Sequence, residues 1–217
     1  MKIKWLGHAC FLLTSDSGLK IMTDPYEAGF RGIISYGPIK ESPDIVTISH
    51  QHSDHNYTGD LQGDPKIVQG AGKHLVQGIE FVGIPCYHDR VFGQERGDNI
   101  IFNFAVDGIR ICHCGDLGHP LDDSIVSSLG HVDVLLIPAG GPAATLELNE
   151  AIALWEKLQP GMVIPMHFRN QKCDFPKYGV KDLMKLKPMA IQTGKSEIVV
   201  SAGQHPVGQI LILDPTL

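Results

Sequence analysis

Apolar and polar positions alternate in short runs along most of the chain. The first runs cover residues 3–6, 10–14 and 19–23, with Asp16-Ser17-Gly18 as a turn between the second and third. Residues 45–49 are apolar almost throughout and read as a buried strand leading directly into His50. Strand-length runs recur at 66–69, 80–85, 99–106, 109–114, 134–138, 162–165, 197–200 and 209–213. Asp107-Gly108, between two of them, is a two-residue hairpin signal. Helical periodicity is rarer. Over 146–158 it places Leu148, Ile152 and Trp155 on one stripe, and Pro160-Gly161 stops it. Segments 122–129 and 181–187 are shorter helix candidates. A Gly- and Pro-rich loop over 25–44 carries Tyr26, Phe30, Arg31 and Tyr36, and a loop of that length is expected to have a function. Strands at both ends with helices interspersed predict one domain over 1–217, with two β-sheets face to face and helices outside.

Composition narrows the class. Eighteen Lys and Arg against 24 Asp and Glu give a net charge of −6 over 217 residues. That balance argues against broad contact with nucleic acid or an anionic membrane, both of which need excess cation. No apolar run approaches the ~20 residues of a membrane-spanning helix, and the N-terminus lacks the apolar core of a signal peptide. The five cysteines are odd in number and scattered, so no disulfide framework is expected and a reducing, cytoplasmic setting is. Gly194-Lys195-Ser196 lacks the preceding glycine of a phosphate loop. Eleven histidines direct the search to metal.

The informative stretch is Ser49-His50-Gln51-His52-Ser53-Asp54-His55. Four potential ligands fall within six residues straight after a strand. His50 and His52 alternate, so an extended backbone aims both imidazoles the same way. Asp54 and His55 fall where a turn into a helix would direct them to a neighbouring point. At this chain's His and Asp frequencies, a chance match to H-x-H-x-D-H is on the order of a few in a thousand. Cys112-His113-Cys114 reads instead as strand, with both thiols as small core hydrophobes. His74, His113, His119, His131 and His205 read as background.

The motif resembles the signature of the metallo-β-lactamase superfamily, and the resemblance extends along nearly the whole chain. It implies an α+β fold, a four-layer αββα sandwich of two mixed β-sheets with helices on the outer faces. It also implies further ligands at later strand ends, where Tyr87-His88-Asp89, Cys114-Gly115-Asp116 and Pro165-Met166-His167 stand. Carried over, His50, His52 and His88 would hold one metal, Asp54, His55 and His167 a second, and Asp116 would bridge them. Taken alone, Gly115-Asp116 reads as a turn, and the upstream motif is what favours the bridge. His8 resembles a recurrent Gly-His turn in one branch, as an active-site wall or proton donor, with a structural role equally open. Asp24, at the end of the third run, resembles an Asp that supports a ligand from behind, with a turn cap as the alternative. Arg169 lies close enough in sequence to His167 to bind an anionic group.

Imidazoles with a few carboxylates suit two divalent ions, Zn²⁺ foremost, with Mn²⁺ or Fe acceptable. Ions about 3.5–4 Å apart bridge a hydroxide and lower the pKa of its parent water toward ~7. The expected protein is therefore a metal-dependent hydrolase using a metal-bridging hydroxide on a small soluble ester, lactone or phosphodiester. Asp54 would orient the nucleophile, and His8 or Arg169 would assist the leaving group. A mononuclear iron thiol oxidoreductase and a non-catalytic metal-binding or sensor protein are the alternatives. The expected partner is a small-molecule substrate, with no nucleic acid and no membrane, and homo-oligomerisation stays open.

Overall fold

The computed structural model describes residues 1–142, 144–203 and 208–216, so His205 lies outside the described residues. In chain order the strands are β1 (Lys2–Gly7), β2 (Cys10–Thr14), β3 (Lys20–Thr23), β4 (Ile45–Ile48), β5 (Lys66–Gln69), β6 (Gly72–Val76) and β7 (Ile79–Tyr87). They continue with β8 (Asp98–Val106), β9 (Ile109–His113), β10 (Val134–Pro138), β11 (Met162–Met166), β12 (Ile191–Gln192), β13 (Glu197–Val199) and β14 (Gln209–Ile212). One six-stranded sheet runs β13-β1-β2-β3-β4-β5, and one eight-stranded sheet runs β12-β14-β11-β10-β9-β8-β7-β6. Both are mixed. β3, β4 and β5 are parallel, as are β9, β10, β11, β14 and β12, while the remaining pairs are antiparallel.

Strand direction positions the chemistry. β2 is antiparallel to both β1 and β3, so β1, β3 and β4 all end at the same edge of their sheet. β8 is antiparallel to both β7 and β9, so β7, β9 and β11 likewise end together. Each of these six strands hands a polar residue to its end. Between the sheets, alternation on the N-terminal strands turns Ile3, Trp5, Phe11, Leu13, Ile21 and Ile45 into the common core, all fully buried. β10 is buried along its whole length, as a central parallel strand covered on both faces should be.

Three helices complete the described architecture: α1 (Asp123–Leu129), α2 (Leu148–Leu158) and α3 (Val180–Leu186). Asp122 caps α1 by accepting from the Ile125 amide at 2.8 Å. Glu147 and Glu150 form a capping box on α2, and Gln159, left-handed at φ 48°, ends it before Pro160-Gly161. α2 packs on β10 and buries Leu148, Ala151, Ile152, Leu154 and Trp155. α1 and α3 flank it through the Lys157–Asp123 and Lys187–Glu156 pairs. The helical layer therefore covers the eight-stranded sheet. No helix among the described residues is long and apolar enough to cross a membrane.

The outer face of the six-stranded sheet is covered differently. Leu6, Cys10, Leu12, Met22, Val46 and Ile48 form a second core closed by Tyr26, Ile34, Tyr36 and Ile39 of the 25–44 loop. Gly and Pro at 25, 29, 32, 37, 38 and 43 hold this loop to a single 3₁₀ turn, Phe30–Gly32. The Tyr36 ring lies so close that a Cβ on Gly7 would stand 2.7 Å from it. The loop expected to carry function is thus first a wall of the fold. Edge strands β6 and β12 carried no sequence signal, since both expose apolar residues (Leu75, Ile191) without a clean alternation.

Candidate metal centre

The six strand ends meet in one cluster. His8 follows β1, Asp24 follows β3, His50 lies two residues past β4, and His88 and His167 directly follow β7 and β11. Asp116 stands three residues beyond β9. After His50 the chain turns without forming a helix. The His55 and Asn56 amides both bond to the His52 carbonyl, at 2.8 and 3.0 Å, and the path then extends. Asn56, Thr58 and Gly59 are weak helix formers, which accounts for a turn where a helix start was expected. The turn still delivers both residues. The sheets are tied here by the His167 amide on the His8 carbonyl at 3.1 Å and the Ile100 amide on the Ser49 carbonyl at 2.9 Å.

One carboxylate oxygen sits at the meeting point. Asp116 Oδ2 is 3.2 Å from His55 Nε2, 3.3 Å from His88 Nε2 and 3.2 Å from His167 Nε2. Ring nitrogens of His50, His52 and His88 lie within 4.8 Å of one another, as do those of His8, His55 and His167. Asp54 Oδ2 is 4.0 Å from His55 Nε2 and 3.4 Å from His8 Nε2. His52 and Asp54 retain some exposure, whereas the other ligand candidates are buried. Gly118 permits this density, because a Cβ there would stand 2.2 Å from the His88 backbone.

Behind this cluster lies a support that orients it. Asp24, fully buried, accepts from the Ser49 amide at 2.8 Å, the Ser49 hydroxyl at 2.5 Å and His55 Nδ1 at 3.0 Å. The Ser49 hydroxyl meets His50 Nδ1 at 2.9 Å, so a single carboxylate sets a ring in each half of the cluster. Asn99 Oδ1 accepts from the Asp116 amide at 3.0 Å, while its Nδ2 donates to the Cys114 carbonyl at 2.9 Å. His113 Nε2 meets the Ala9 carbonyl at 3.0 Å and braces the turn that carries His8. Sequence reasoning found Asp24 but gave Ser49, Asn99 and His113 no role. Only Ser49, a hydroxyl next to the first histidine, carried any local hint.

Charge is balanced internally. Burial opposes ionisation of Asp116, but His167 and His55 hold its carboxyl well below the usual range. Burial opposes protonation of His55, and Asp116, Asp24 and Asp54 together overcome it. His50 is driven down by burial and His55. The donor set fits divalent ions with affinity for nitrogen and oxygen, and the cluster has groups to spare for them. His8 Nδ1 and Nε2, His55 Nε2, His88 Nδ1, Asp116 Oδ1, and His167 Nδ1 and Nε2 are all buried without a hydrogen-bond partner. Orphaned buried polar atoms in this number are what a bound cation relieves.

Comparison with known proteins agrees. A model of the β-lactamase superfamily domain matches residues 2–167. The chain belongs to the metallo-β-lactamase superfamily. The UPF0173 metal-dependent hydrolase of Methanospirillum hungatei is 31% identical over 193 residues, 78% of this chain and 84% of that protein. A Thermotoga maritima structure assigned as a Zn-dependent hydrolase of the superfamily superposes with a TM-score of 0.80 at 31% identity, covering 98% of this chain and 97% of that one. An isothiocyanate hydrolase from Delia radicum gut bacteria shares the fold at a TM-score of 0.67 and 15% identity, over 93% of this chain and all of that one.

Within this superfamily frame one expected residue falls elsewhere. Arg169 turns to α3, with its guanidinium 3.7 Å from Asp182 and about half exposed, and is not brought into the cluster. The register places its backbone against Tyr178 and Gly179, which points the side chain to the helix. Its neighbour Asn170 instead ties the 25–44 wall to the His167 segment by donating to the Tyr36 hydroxyl at 2.7 Å. A cleft of about 1060 Å³ opens onto His50 and His52 and is lined also by Gln69, Tyr87, Arg96 and Ile100. It has room for a small molecule. Asp89 shapes its rim, accepting four amides, from Val91 and Gly93 at 2.8 Å, Glu95 at 2.9 Å and Arg96 at 2.8 Å.

Proposed function

We propose that this protein is a two-ion metal-dependent hydrolase of a small ester, lactone or phosphodiester bound in the cleft over His50 and His52. The observation that carries the reading is the Asp116 carboxylate, whose Oδ2 is shared among His55, His88 and His167 at 3.2–3.3 Å. A carboxylate so placed belongs to both halves of a two-ion centre. His50, His52 and His88 would hold one ion, and His55 and His167, with Asp54 beside them, the other. Bound ions of this kind supply an activated water as nucleophile and polarise the carbonyl or phosphoryl oxygen under attack.

The chain's own residues do the rest. Asp24 and Ser49 fix the rings of His55 and His50, so their ligating nitrogens need no reorganisation. Asp54, partly open to solvent, is placed to orient the attacking group. The mixed polar and apolar cleft excludes water from one side of a bound substrate. Five free, buried cysteines support a reducing, cytoplasmic setting. The mononuclear thiol-oxidising alternative needs only part of this ligand set, and the closeness of both histidine groups favours the two-ion reading over it.

Elemental analysis of protein purified without chelator or metal-affinity tag tests the reading. Near two Zn or Mn per chain supports it, and Asp116→Ala should then lower occupancy at both positions. One Fe per chain, or an Asp116→Ala protein with unchanged metal content, refutes it.

A further inference from the structure

We propose that His8 is a direct ligand of the second ion, so that each ion is held by three imidazoles, with Asp116 between them. The inference rests on the two-ion reading above. Sequence reasoning left His8 open between an active-site wall or proton donor and a structural role.

The geometry is specific. Ring nitrogens of His8, His55 and His167 lie within 4.8 Å of one another, and all three residues are buried. The His8 ring centroid is 3.9 Å from that of His167 and 4.8 Å from that of His55. Neither His8 nitrogen has a hydrogen-bond partner, and Asp54 Oδ2 stands 3.4 Å from Nε2. A fully buried imidazole with no partner nearer than the Asp54 carboxylate keeps a desolvation cost that a cation bound at one of its nitrogens would offset.

The backbone makes the same case. His8 and His167 both occupy the left-handed region, at φ 53° and 51°, which costs a non-glycine residue of order 1 kcal/mol or more. The His8 turn is nonetheless fixed by four partners. Its carbonyl accepts from Trp5 Nε1 at 3.0 Å and from the His167 amide at 3.1 Å. The next carbonyl, of Ala9, accepts from Thr23 Oγ1 at 2.9 Å and meets His113 Nε2 at 3.0 Å. Strain so thoroughly held in place indicates a ring that must face its neighbours.

His8→Gly is the test, since glycine takes the positive φ without strain and the variant is expected to fold. Cobalt titration of wild type and variant, followed by visible absorption and chelator competition, reads each equivalent separately. The expected result is a first equivalent of unchanged affinity and a second weakened by about 100-fold or more, the upper end of what losing even an indirect ligand support costs. The absorption bands of the second ion should change, and added imidazole should restore them. Two equivalents bound as in wild type with an unchanged spectrum, or equal loss of both, overturns the proposal. A wild-type protein that binds fewer than two equivalents overturns the two-ion reading instead.

Discussion

Replacing Asp24 with Asn alters the chemistry of one atom and the shape of none. In the native protein Asp24 Oδ2 faces His55 Nδ1 at 3.0 Å and the Ser49 hydroxyl at 2.5 Å, while Oδ1 accepts from the Ser49 amide at 2.8 Å. A carboxylate only accepts, so His55 must donate from Nδ1, and Nε2 is the atom left for a metal, which would displace the proton that Asp116 favours there. The Asn amide cannot place its NH₂ on the Ser49 side, where it would confront a fixed backbone donor. Its NH₂ must therefore face His55, which then accepts at Nδ1 and carries its proton on Nε2. That tautomer does not ligate. The His50 ring is spared, because the Ser49 hydroxyl still accepts from its Nδ1. The second ion should weaken by about 100-fold, roughly 2.7 kcal/mol, and the first by under about tenfold. Competition with a chromophoric chelator separates the two equivalents. Asp24→Ala, which strands three buried donors, should in addition lower the melting temperature of metal-free protein by about 6 °C or more. An Asn variant that binds both ions as wild type refutes the orienting role.

Two further outcomes follow from other parts of the fold. Burial opposes ionisation of Asp89, but amides of Arg96, Val91, Gly93 and Glu95 hold its carboxyl down to about 2, below the unfolded value of ~3.9. Its support for residues 90–97 is therefore complete above about pH 4 and is lost as pH falls through about 2. Backbone NMR of that loop should show the transition, and Asp89→Asn should speed amide exchange there at neutral pH; unchanged exchange sinks the claim. Tyr36→Ala removes a buried ring and the acceptor of Asn170, so unfolding free energy should drop by about 3–5 kcal/mol with metal content retained. A melting temperature within a degree of wild type would show that the 25–44 loop is cover of little consequence to the fold.

Much of the site was legible because its signal is local. His50, His52, Asp54 and His55 share one turn, and His88, Asp116 and His167 each follow a recognisable apolar run, so the spacing survives without knowledge of the fold. Direction is not local. Arg169 adjoins His167 but projects to Asp182, since the bridge to Gly179 fixes which way each side chain points. Helices over 122–129, 146–158 and 181–187 were readable within a residue or two from caps and stripe. The outer layer of the six-stranded sheet was not, because a loop seals it with Tyr26, Ile34, Tyr36 and Ile39 at irregular spacing. Ser49, Asn99 and His113 carry no pattern. Each acts by a hydrogen bond to a segment distant in sequence or to a neighbouring ring.

The strand ends and the orphaned atoms together explain why the cluster is where it is. Six strands of two sheets deliver polar residues to one edge, where the backbone leaves its ladders and needs partners. Ser49, Asn99, Asp24 and His113 meet those needs on the inner side, so most polar groups beneath the cluster are paired, His113 Nδ1 excepted. The shortfall is concentrated one layer further out. Of the nine buried side-chain atoms without a partner among the described residues, all but those of Thr47 and His113 belong to His8, His55, His88, Asp116 and His167. Unpaired buried groups cost roughly 1–3 kcal/mol each, and the deeper polar layer leaves only Thr47 Oγ1 and His113 Nδ1 among them. The deficit is selective. It falls on imidazole nitrogens and a carboxylate oxygen of one cluster, the atom types that a bound cation satisfies.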